Sequence, residues 1–304
     1  MASSTSTATK ASLEIPSAEV TRKWWVEDAE LTIEARNLLE RYSGLTDSEI
    51  DTHVRALREK IWAVFPYPCV GSFDFATPNL SRRRPLFDRL VSILCAPTSL
   101  TPSAAKEPLY LDFGCCVGQD LRTLRAAGVP GNRLIGAEYF PGFVDAGYDL
   151  FLDRDTLGAT FLTPYDILDT DNRSLEPYQG QINVVHMGML LHLFTWAQQV
   201  DILVKKLVDT DTGIFLKDTP GVLLVGTVVS HERGVATESW NTPGHWPFFH
   251  NPDTFKRMIV EVGERTGTKW QVSAEYDYRN NFTKPEGLEG RDEIRQLAFE
   301  CERL

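Results

Sequence analysis

Short apolar segments alternate with helical segments through the middle of the chain, and this rhythm limits the possible fold more than any other feature. Apolar residues recur at helical spacing in Asp120–Ala127, Phe143–Leu152 and Trp196–Leu207. Strands and helices that alternate in this way build a mostly parallel sheet with helices on both faces. The predicted strands of the series are Leu109–Phe113, Arg133–Ala137, Ala159–Leu162, Ile182–Met187 and Gly221–Val229.

Two further strand-like segments follow a predicted helix at Pro252–Thr266. They are Trp270–Tyr276 and Ile294–Cys301, and we expect them to pair as an antiparallel hairpin at one edge of the sheet. The predicted fold class is therefore α/β and Rossmann-like, with a mostly parallel seven-stranded sheet that an antiparallel hairpin closes.

The chain divides by texture into three predicted regions. Residues 1–16 are rich in Ser, Thr and Ala without an apolar core segment, which predicts a disordered tail rather than a signal peptide. Residues 17–105 carry helical signals and are predicted to form a helical lid or substrate region, and residues 106–304 the cofactor-binding domain. The helices predicted in the lid region are Trp24–Tyr42, a capped helix from Thr46 through Ile61, and Pro85–Leu94.

The clearest ligand-binding motif is the glycine loop, Leu111-Asp-Phe-Gly-Cys-Cys-Val-Gly-Gln-Asp120, between the first strand and the next helix. A dinucleotide fingerprint needs glycine where this chain has Cys116, so the motif disfavours an NAD-dependent reductase. Gly114 and Gly118 leave room for a ligand across the turn, and the helix N-terminus offers N–H groups to a carboxylate. Asp112 can accept from an ammonium group. An amino-acid head on a nucleoside body fits these features, which predicts S-adenosylmethionine.

Two more acids follow the next two predicted strands. Glu138 ends the second strand, where a doubly wound fold places an acid that accepts both ribose hydroxyls. Asp166 follows the third strand and can accept from the adenine amino group, while Ile167 packs on the ring. Either acid alone is as readily a solvated loop residue, but three at successive strand ends predict a cofactor site. The predicted cofactor-binding residues are Asp112, Gly114, Cys115, Gly118, Gln119, Asp120, Glu138, Tyr139, Asp166, Ile167 and Met187.

Further motifs extend the pattern along the chain. They are Pro68-Cys69-Val70-Gly71, Gly147-Tyr148-Asp149-Leu150-Phe151, His192-Leu193-Phe194-Thr195-Trp196 with Gln199, and His250-Asn251 ahead of a helix. Together with the glycine loop they resemble fungal secondary-metabolite methyltransferases of the class I fold, which include meroterpenoid and polyketide tailoring enzymes. The resemblance spans about residues 40 to 304. It implies O-methylation of hydroxyls or carboxylic acids of small natural products. The segment 230–249 lies outside the likeness, so the acceptor is least defined there.

The acceptor chemistry depends on whether a general base is present. A carboxylate is already ionised at neutral pH, whereas a phenol, with a pKa near 10, benefits from a base such as histidine. No histidine is a clear base from its sequence position, and the resemblance includes ester-forming enzymes. We therefore expect a methyl ester on a small aromatic or polyketide- or meroterpenoid-derived acid, formed by positioning. The alternatives are hydroxyl methylation with a histidine base and a partner subunit that binds the cofactor without turnover.

Three histidines are candidates for catalytic roles. His192 lies just past the fourth strand, in the crevice where ligands bind in open α/β sheets, or it packs in a helix beneath the cofactor. His245 and His250 flank an aromatic cluster that is either a lid over the substrate or part of the core. His186 lies inside a strand and is expected to be structural. The predicted substrate-binding aromatics, for which ordinary packing is the alternative, are Tyr67, Phe73, Trp246 and Phe249.

Charge and cysteine content exclude several classes of function. Lys and Arg total 31 against 42 acidic residues, a net charge of −11, which disfavours nucleic acid and anionic membrane as partners. The 5 cysteines show no paired C-x-x-C spacing, which predicts a reduced, cytoplasmic location and no structural zinc. No acidic pair follows the fourth strand, so we expect metal-free chemistry. The expected partner is a small-molecule substrate, and a homodimer is possible.

Overall fold

The computed structural model describes residues 17–96, 107–208, 219–239, 244–278 and 291–304. The predicted tail at 1–16 and the predicted boundary near residue 105 lie outside these ranges. The structure therefore tests the elements on either side of the boundary but not the boundary itself.

A seven-stranded sheet forms the centre of the molecule, in the order β3-β2-β1-β4-β5-β9-β8. Strands β1 to β5 run parallel, and β9 pairs antiparallel with both β5 and β8. The predicted α/β, Rossmann-like class with its closing antiparallel hairpin is confirmed. The strands are β1 (Leu109–Phe113), β2 (Leu134–Ala137), β3 (Thr160–Leu162), β4 (Ile182–Gly188), β5 (Leu223–His231), β8 (Trp270–Tyr276) and β9 (Ile294–Arg303).

A two-stranded sheet outside the main one was not expected from the sequence. It pairs β6 (Val235–Ala236) with β7 (Phe248–Phe249). Of the predicted substrate aromatics, Trp246 precedes β7 and Phe249 lies on it. The backbone N–H of Phe248 donates to the carbonyl of Phe194 at 3.0 Å. This hydrogen bond ties the small sheet to the segment that follows β4.

Apolar runs explain why the central strands form. Every residue of β1 and of β5 is buried, since helices cover both faces of the sheet. One face packs against α8 (Trp196–Leu203) and α9 (Pro252–Thr266), and the other against α5 (Arg84–Cys95) and α6 (Gln119–Ala126). The glycine loop between β1 and α6 therefore opens at the carboxyl edge of the parallel strands, where such folds bind ligands.

The N-terminal region is helical, but its first predicted helix is wrong. Within Trp24–Tyr42 the helix is the shorter α2 (Ile33–Arg41), and a separate short helix, α1 (Ala18–Arg22), lies before Trp24. The side chain of Thr32 accepts from the N–H of Ala35, which starts α2 well after Trp24. N-cap residues of this kind fix a helix start by satisfying a free N–H group, a local effect that outweighs the apolar spacing.

The remaining N-terminal helices pack directly onto the sheet domain. The predicted capping box of Thr46 and Glu49 is present at the start of α3 (Asp47–Val64), and α4 (Pro68–Gly71) follows a short break. Residues of α3 share a buried apolar cluster with α7 (Pro141–Phe151). The helical region is therefore continuous with the core in this structure. No helix in the described part of the chain is both long and apolar enough to cross a membrane.

Candidate cofactor and acceptor site

The glycine loop has a backbone conformation that is unfavourable for one of its non-glycine residues. Gly114 and Gly118 have positive φ angles of 68° and 71°, which glycine tolerates. Cys116 also has a positive φ, 52°, although its Cβ disfavours that region by roughly 1–2 kcal/mol. The N–H of Gly118 donates to the carbonyl of Cys115 at 2.7 Å and closes the turn. The loop is therefore compact before any ligand enters.

Glu138 anchors this loop from the end of β2. Its Oε2 accepts from the N–H of Cys116 at 2.9 Å, and its Oε1 accepts from the N–H of Phe140 at 2.9 Å. Burial raises the pKa of Glu138 to about 7, against the opposing effect of these backbone N–H groups. A carboxylate has about four acceptor positions, so capacity remains for hydroxyl donors of a ribose. Glu138 thus both shapes the loop and presents an anion there.

Asp112 at the end of β1 has a partner that the sequence did not reveal. His186, directly opposite it on β4, has its Nδ1 at 2.8 Å from Asp112 Oδ1, and both side chains are buried. Burial lowers the pKa of His186, but Asp112 and then Asp120 more than offset this and raise it overall. The sequence prediction of a structural role for His186 did not include this pairing. Its position in a strand adjacent to β1 was the available signal.

The third predicted acid lies in a local turn. Asp166 is half-buried, and its Oδ1 accepts from the N–H of Leu168 at 2.9 Å. Ile167 is buried beside it, and Tyr139 lies edge-on against Phe140 with ring centroids 4.9 Å apart. The Oε1 of Gln119, at the first residue of α6, is buried without a hydrogen-bond partner. An unsatisfied acceptor beside the loop is what a missing polar ligand would leave.

Asp112, Glu138 and Asp166 define what we call the cofactor edge. Their carboxylates, the glycine loop and the unsatisfied Gln119 oxygen fit a ligand with an ammonium group, ribose hydroxyls and an aromatic base.

Three residues predicted to bind the cofactor do not direct their side chains to this edge. Asp120 is buried and accepts from the N–H of Leu80 at 3.0 Å, so it ties α6 to the N-terminal region. Burial raises its pKa to about 6. Met187 lies wholly in the apolar core, as does the Cys115 side chain on the opposite face of the sheet. Alternation along β4 explains the inward direction of Met187, which the sequence motif alone does not disclose.

His250 and His245 have ring nitrogens that are hydrogen-bonded within the fold, and their catalytic role stays a prediction. The Nδ1 of His250 lies 3.2 Å from Thr254 Oγ1, and its Nε2 lies 3.0 Å from Gln199 Oε1. Burial also lowers the pKa of His250 to about 3. His245 Nε2 lies 2.9 Å from the carbonyl oxygen of Leu193. These contacts fasten the loop around β7 to α8 and α9.

His192 differs from the other candidate histidines. It lies in a 3-10 turn, Leu191–Leu193, after β4, and packs edge-on against Phe249 with ring centroids 6.2 Å apart. Its side chain is buried, and its Nδ1 has no hydrogen-bond partner. Burial lowers the pKa of His192 to about 3, so the ring is neutral at physiological pH. It is a neutral polar group with an unused nitrogen.

The predicted substrate aromatics separate into buried and exposed side chains. Phe73 is buried below the Arg58 guanidinium, 4.6 Å from its ring centroid, and Phe249 is buried in a small apolar cluster. Tyr67 packs against Phe65 with tilted rings whose centroids are 4.4 Å apart. Phe73 and Phe249 are therefore packed in apolar clusters, and their contact with the substrate stays a prediction. Trp246 is 53% exposed and lies beside residues outside the described ranges.

Two polar residues that the sequence analysis did not identify are buried near His192. They are Thr227 on β5 and Gln296 on β9, which are only 4% and 3% exposed. Thr227 Oγ1 and Gln296 Oε1 have no hydrogen-bond partner. A buried polar group left in this state costs about 1–3 kcal/mol. We call His192, Thr227 and Gln296 the acceptor edge. A threonine and a glutamine within the predicted strands were the signal available in the sequence.

A metal site requires several ligating side chains close together. Within the residues that the structure describes, no three His, Cys, Asp or Glu side chains are grouped so that they could hold a metal ion.

Comparison with known proteins identifies similar sequences over most of the chain. A family model described as the meroterpenoid methyltransferase N-terminal domain matches residues 24–76. The O-methyltransferase atr3 of Stereocaulon alpinum is 36% identical over 271 residues, which cover 88% of this chain and 72% of that protein. The O-methyltransferase phiE of a fungal species is 35% identical, over 78% of this chain and 73% of its own length.

A third relative is named for the two compounds on which it acts. The asnovolin E/chermesin D methyltransferase nvfJ of Aspergillus novofumigatus is 28% identical, over 84% of this chain and 85% of its own length. The matches extend well beyond the N-terminal helices into the sheet domain that bears the cofactor edge.

Proposed function

Since this chain belongs to the fungal O-methyltransferases of secondary metabolism, we propose that it forms a methyl ester on the carboxyl group of a small acid. The acid is aromatic or derived from a polyketide or meroterpenoid. The cofactor of the chain is S-adenosyl-L-methionine. When bound, it supplies a methyl group on a sulfonium: a C–O bond forms to the acceptor oxygen, the S–C bond breaks, and S-adenosylhomocysteine leaves.

The engagement of the histidines is the observation that carries the choice of a carboxyl acceptor. His245 and His250 use ring nitrogens in hydrogen bonds within the fold, and His186 is paired with Asp112. The pKa of His192 is lowered by burial to about 3, which makes it a weak base. A carboxylate is ionised without help, so this set of residues is sufficient for an acid and poor for a phenol.

The residues of the cofactor edge would hold the cofactor by complementary charge and hydrogen bonding. Asp112 would accept from its ammonium group, Glu138 from its ribose hydroxyls, and Asp166 from its adenine amino group. Because Glu138 already ties the glycine loop to β2, little reorganisation is required when the ligand enters. The contribution of the protein is then to position the acceptor oxygen and exclude water.

A hydroxyl acceptor is the second candidate, and the free Nδ1 of His192 favours it. A neutral imidazole can accept the proton of a hydroxyl group. With a pKa of about 3, however, it is a poor match for a phenol whose pKa lies near 10. Methylation of a hydroxyl would therefore need another group to remove the proton, which makes a hydroxyl acceptor the weaker candidate.

Mass spectrometry on a matched set of acceptors tests the proposal. Purified protein and S-adenosylmethionine are incubated with aromatic carboxylic acids and with the corresponding phenols. We expect a mass gain of one methylene on the acids that mild base reverses, as for an ester. A gain on the phenols alone would show that the carboxyl assignment is wrong. Binding of S-adenosylhomocysteine without methylation of either set would favour a non-catalytic partner subunit.

A further inference from the structure

Two unsatisfied polar groups lie side by side on one face of the sheet. In the register of β5 and β9, Gln296 is directly opposite Val229, two residues beyond Thr227. Since alternate residues of a strand share a face, and directly paired residues do as well, Thr227 and Gln296 lie diagonally adjacent. Neither Thr227 Oγ1 nor Gln296 Oε1 has a hydrogen-bond partner. Native proteins leave few buried polar groups in this state, and such groups call for an explanation.

The same face leads to the cofactor edge. Thr227 is paired with Gly188 of β4 on one side and with Ala298 of β9 on the other. Gly188 lies two residues beyond His186, the partner of Asp112. The two direct neighbours of Thr227 on the adjacent strands, Gly188 and Ala298, are thus small residues. This part of the sheet borders the site that is predicted for the ammonium group of the cofactor.

The orientation of the Gln296 amide is fixed by its neighbour. Its Nε2 donates to the sulfur of Met189 at 3.4 Å, and the N–H of Met189 donates to the carbonyl of Thr227 at 2.7 Å. Turning the amide over would place its oxygen against a thioether, which has no proton to donate. The Oε1 of Gln296 therefore remains an acceptor in need of a donor.

A cation contacts the backbone next to Thr227. The Nη1 of Arg83 donates to the carbonyls of Phe299 at 3.0 Å and Gly226 at 3.4 Å, and these residues are adjacent in sequence to Ala298 and Thr227. The neighbourhood thus combines a cation, a hydroxyl that can donate, and an amide oxygen that can only accept.

We propose that Thr227 and Gln296 recognise the acceptor, and that the acceptor is a hydroxy acid. The Thr227 hydroxyl donates to the carboxylate, and the Gln296 Oε1 accepts from a hydroxyl elsewhere on the same molecule. This inference rests on the proposed function, because it assigns the carboxylate to the oxygen that is methylated. It adds two points to that function. Thr227 and Gln296 select the substrate, and the substrate carries a hydroxyl group as well as the carboxylate.

Binding and stability together test these roles. Calorimetry is performed with 3-hydroxybenzoate and benzoate in the presence of S-adenosylhomocysteine. The meta isomer is chosen because an ortho hydroxyl would bond to its own carboxylate. For the native protein we expect about tenfold tighter binding of 3-hydroxybenzoate. Thr227→Val should weaken both probes about tenfold, and Gln296→Leu should abolish the preference between them.

Melting temperatures supply the control for a purely structural role. Thr227→Val and Gln296→Leu each remove an unsatisfied group, so both variants should melt at or above the native temperature. Thr123→Val is the matched control, since that buried hydroxyl donates to the Gln119 carbonyl at 2.8 Å. It should melt lower and keep native probe affinities.

Each result bears on the proposal separately from the reaction. The proposal is overturned if Thr227→Val and Gln296→Leu melt lower as Thr123→Val does, if probe affinities do not change, or if neither probe binds. If the binding pattern holds but no methyl ester forms, the acceptor assignment stands and the proposed function fails. If esters form equally in all variants, the function stands and the assignment fails.

Discussion

The cofactor edge and the acceptor edge of the same sheet differ in how their polar groups are satisfied. At the cofactor edge, Asp112 and Glu138 are buried with hydrogen-bond partners from the chain, although the Oε1 of the neighbouring Gln119 has none. At the acceptor edge, His192, Thr227 and Gln296 are buried with polar atoms that have none. The first arrangement is preorganised before ligand binding, whereas the second carries a stability cost that a ligand would relieve.

This difference corresponds to two kinds of binding, that of a cofactor which does not change and that of an acceptor which must be selected. A cofactor that does not change can be served by groups held rigidly in advance, since rigidity reduces the cost of binding. An acceptor is selected by groups that are satisfied only when the correct molecule is present, because a wrong molecule leaves them unpaired. The following predictions test the contrast, in order of decreasing effect.

Asp112→Asn should cause the largest loss at the cofactor edge. It removes the charge that faces the cofactor ammonium group and leaves His186 beside an amide. We expect binding of S-adenosylhomocysteine to weaken about 100-fold, or about 3 kcal/mol, as measured by calorimetry. His186→Asn keeps the Asp112 charge and should cost about tenfold. Native affinity in Asp112→Asn would remove Asp112 from the site.

Glu138→Gln should weaken the same ligand by about 30-fold. The carboxylate accepts from N–H groups of both Cys116 and Phe140, whereas an amide must turn its own NH₂ toward one of them. Because the pKa of Glu138 is about 7, native affinity should rise as pH increases from 6 to 8 and the ionised form becomes dominant. The variant should show a flat profile. Parallel profiles would contradict this role.

His192 should make stability depend on acid pH. Its folded pKa of about 3 lies below the ordinary value of 6.5, so below pH 6.5 the unfolded chain binds a proton that the folded chain does not. Stability therefore falls with pH in that range, by at most about 1.4 kcal/mol per pH unit from this group. Urea unfolding at pH 5, 6 and 8 should show a shallower fall for His192→Leu than for the native protein. Equal slopes would mean that His192 is not held neutral.

Asp166→Asn should have the smallest effect, about threefold on S-adenosylhomocysteine binding, because this side chain is only half-buried. Asp169→Asn is a matched control, since Asp169 accepts from the N–H of Asp171 at 2.9 Å in the same type of turn. Only the first variant should change the calorimetric affinity. Equal losses would indicate an effect of turn geometry rather than adenine contact.

The parts of the molecule that depend on local pattern could be predicted from the sequence. Strands β1 to β5 and the helices between them follow the apolar pattern of the sequence. Gly114 and Gly118 adopt the backbone angles that their residue type suggests. The capping box of Thr46 and Glu49 is likewise a short-range signal. Each of these features is decided by residues within a few positions of one another.

Features that depend on strand register or distant contacts could not be predicted. The pairing of His186 with Asp112 needs β1 and β4 to be aligned, and the diagonal adjacency of Thr227 and Gln296 needs the register of β5 and β9. His250 resembled a catalytic group because its partner Gln199 is far away in sequence. In each case the role of the side chain depends on its burial and its neighbours, and these are set by the whole fold.

The pH dependence of a single turnover tests most directly the claim that this chain methylates an ionised acceptor without a base. Protein saturated with S-adenosylmethionine is mixed with an aromatic acid that it methylates, and the rate of ester formation is followed from pH 6.5 to 9. The account predicts a flat profile, because the acceptor carboxylate is ionised throughout this range. A tenfold rise in rate per pH unit would show that a proton must be removed, and would contradict it.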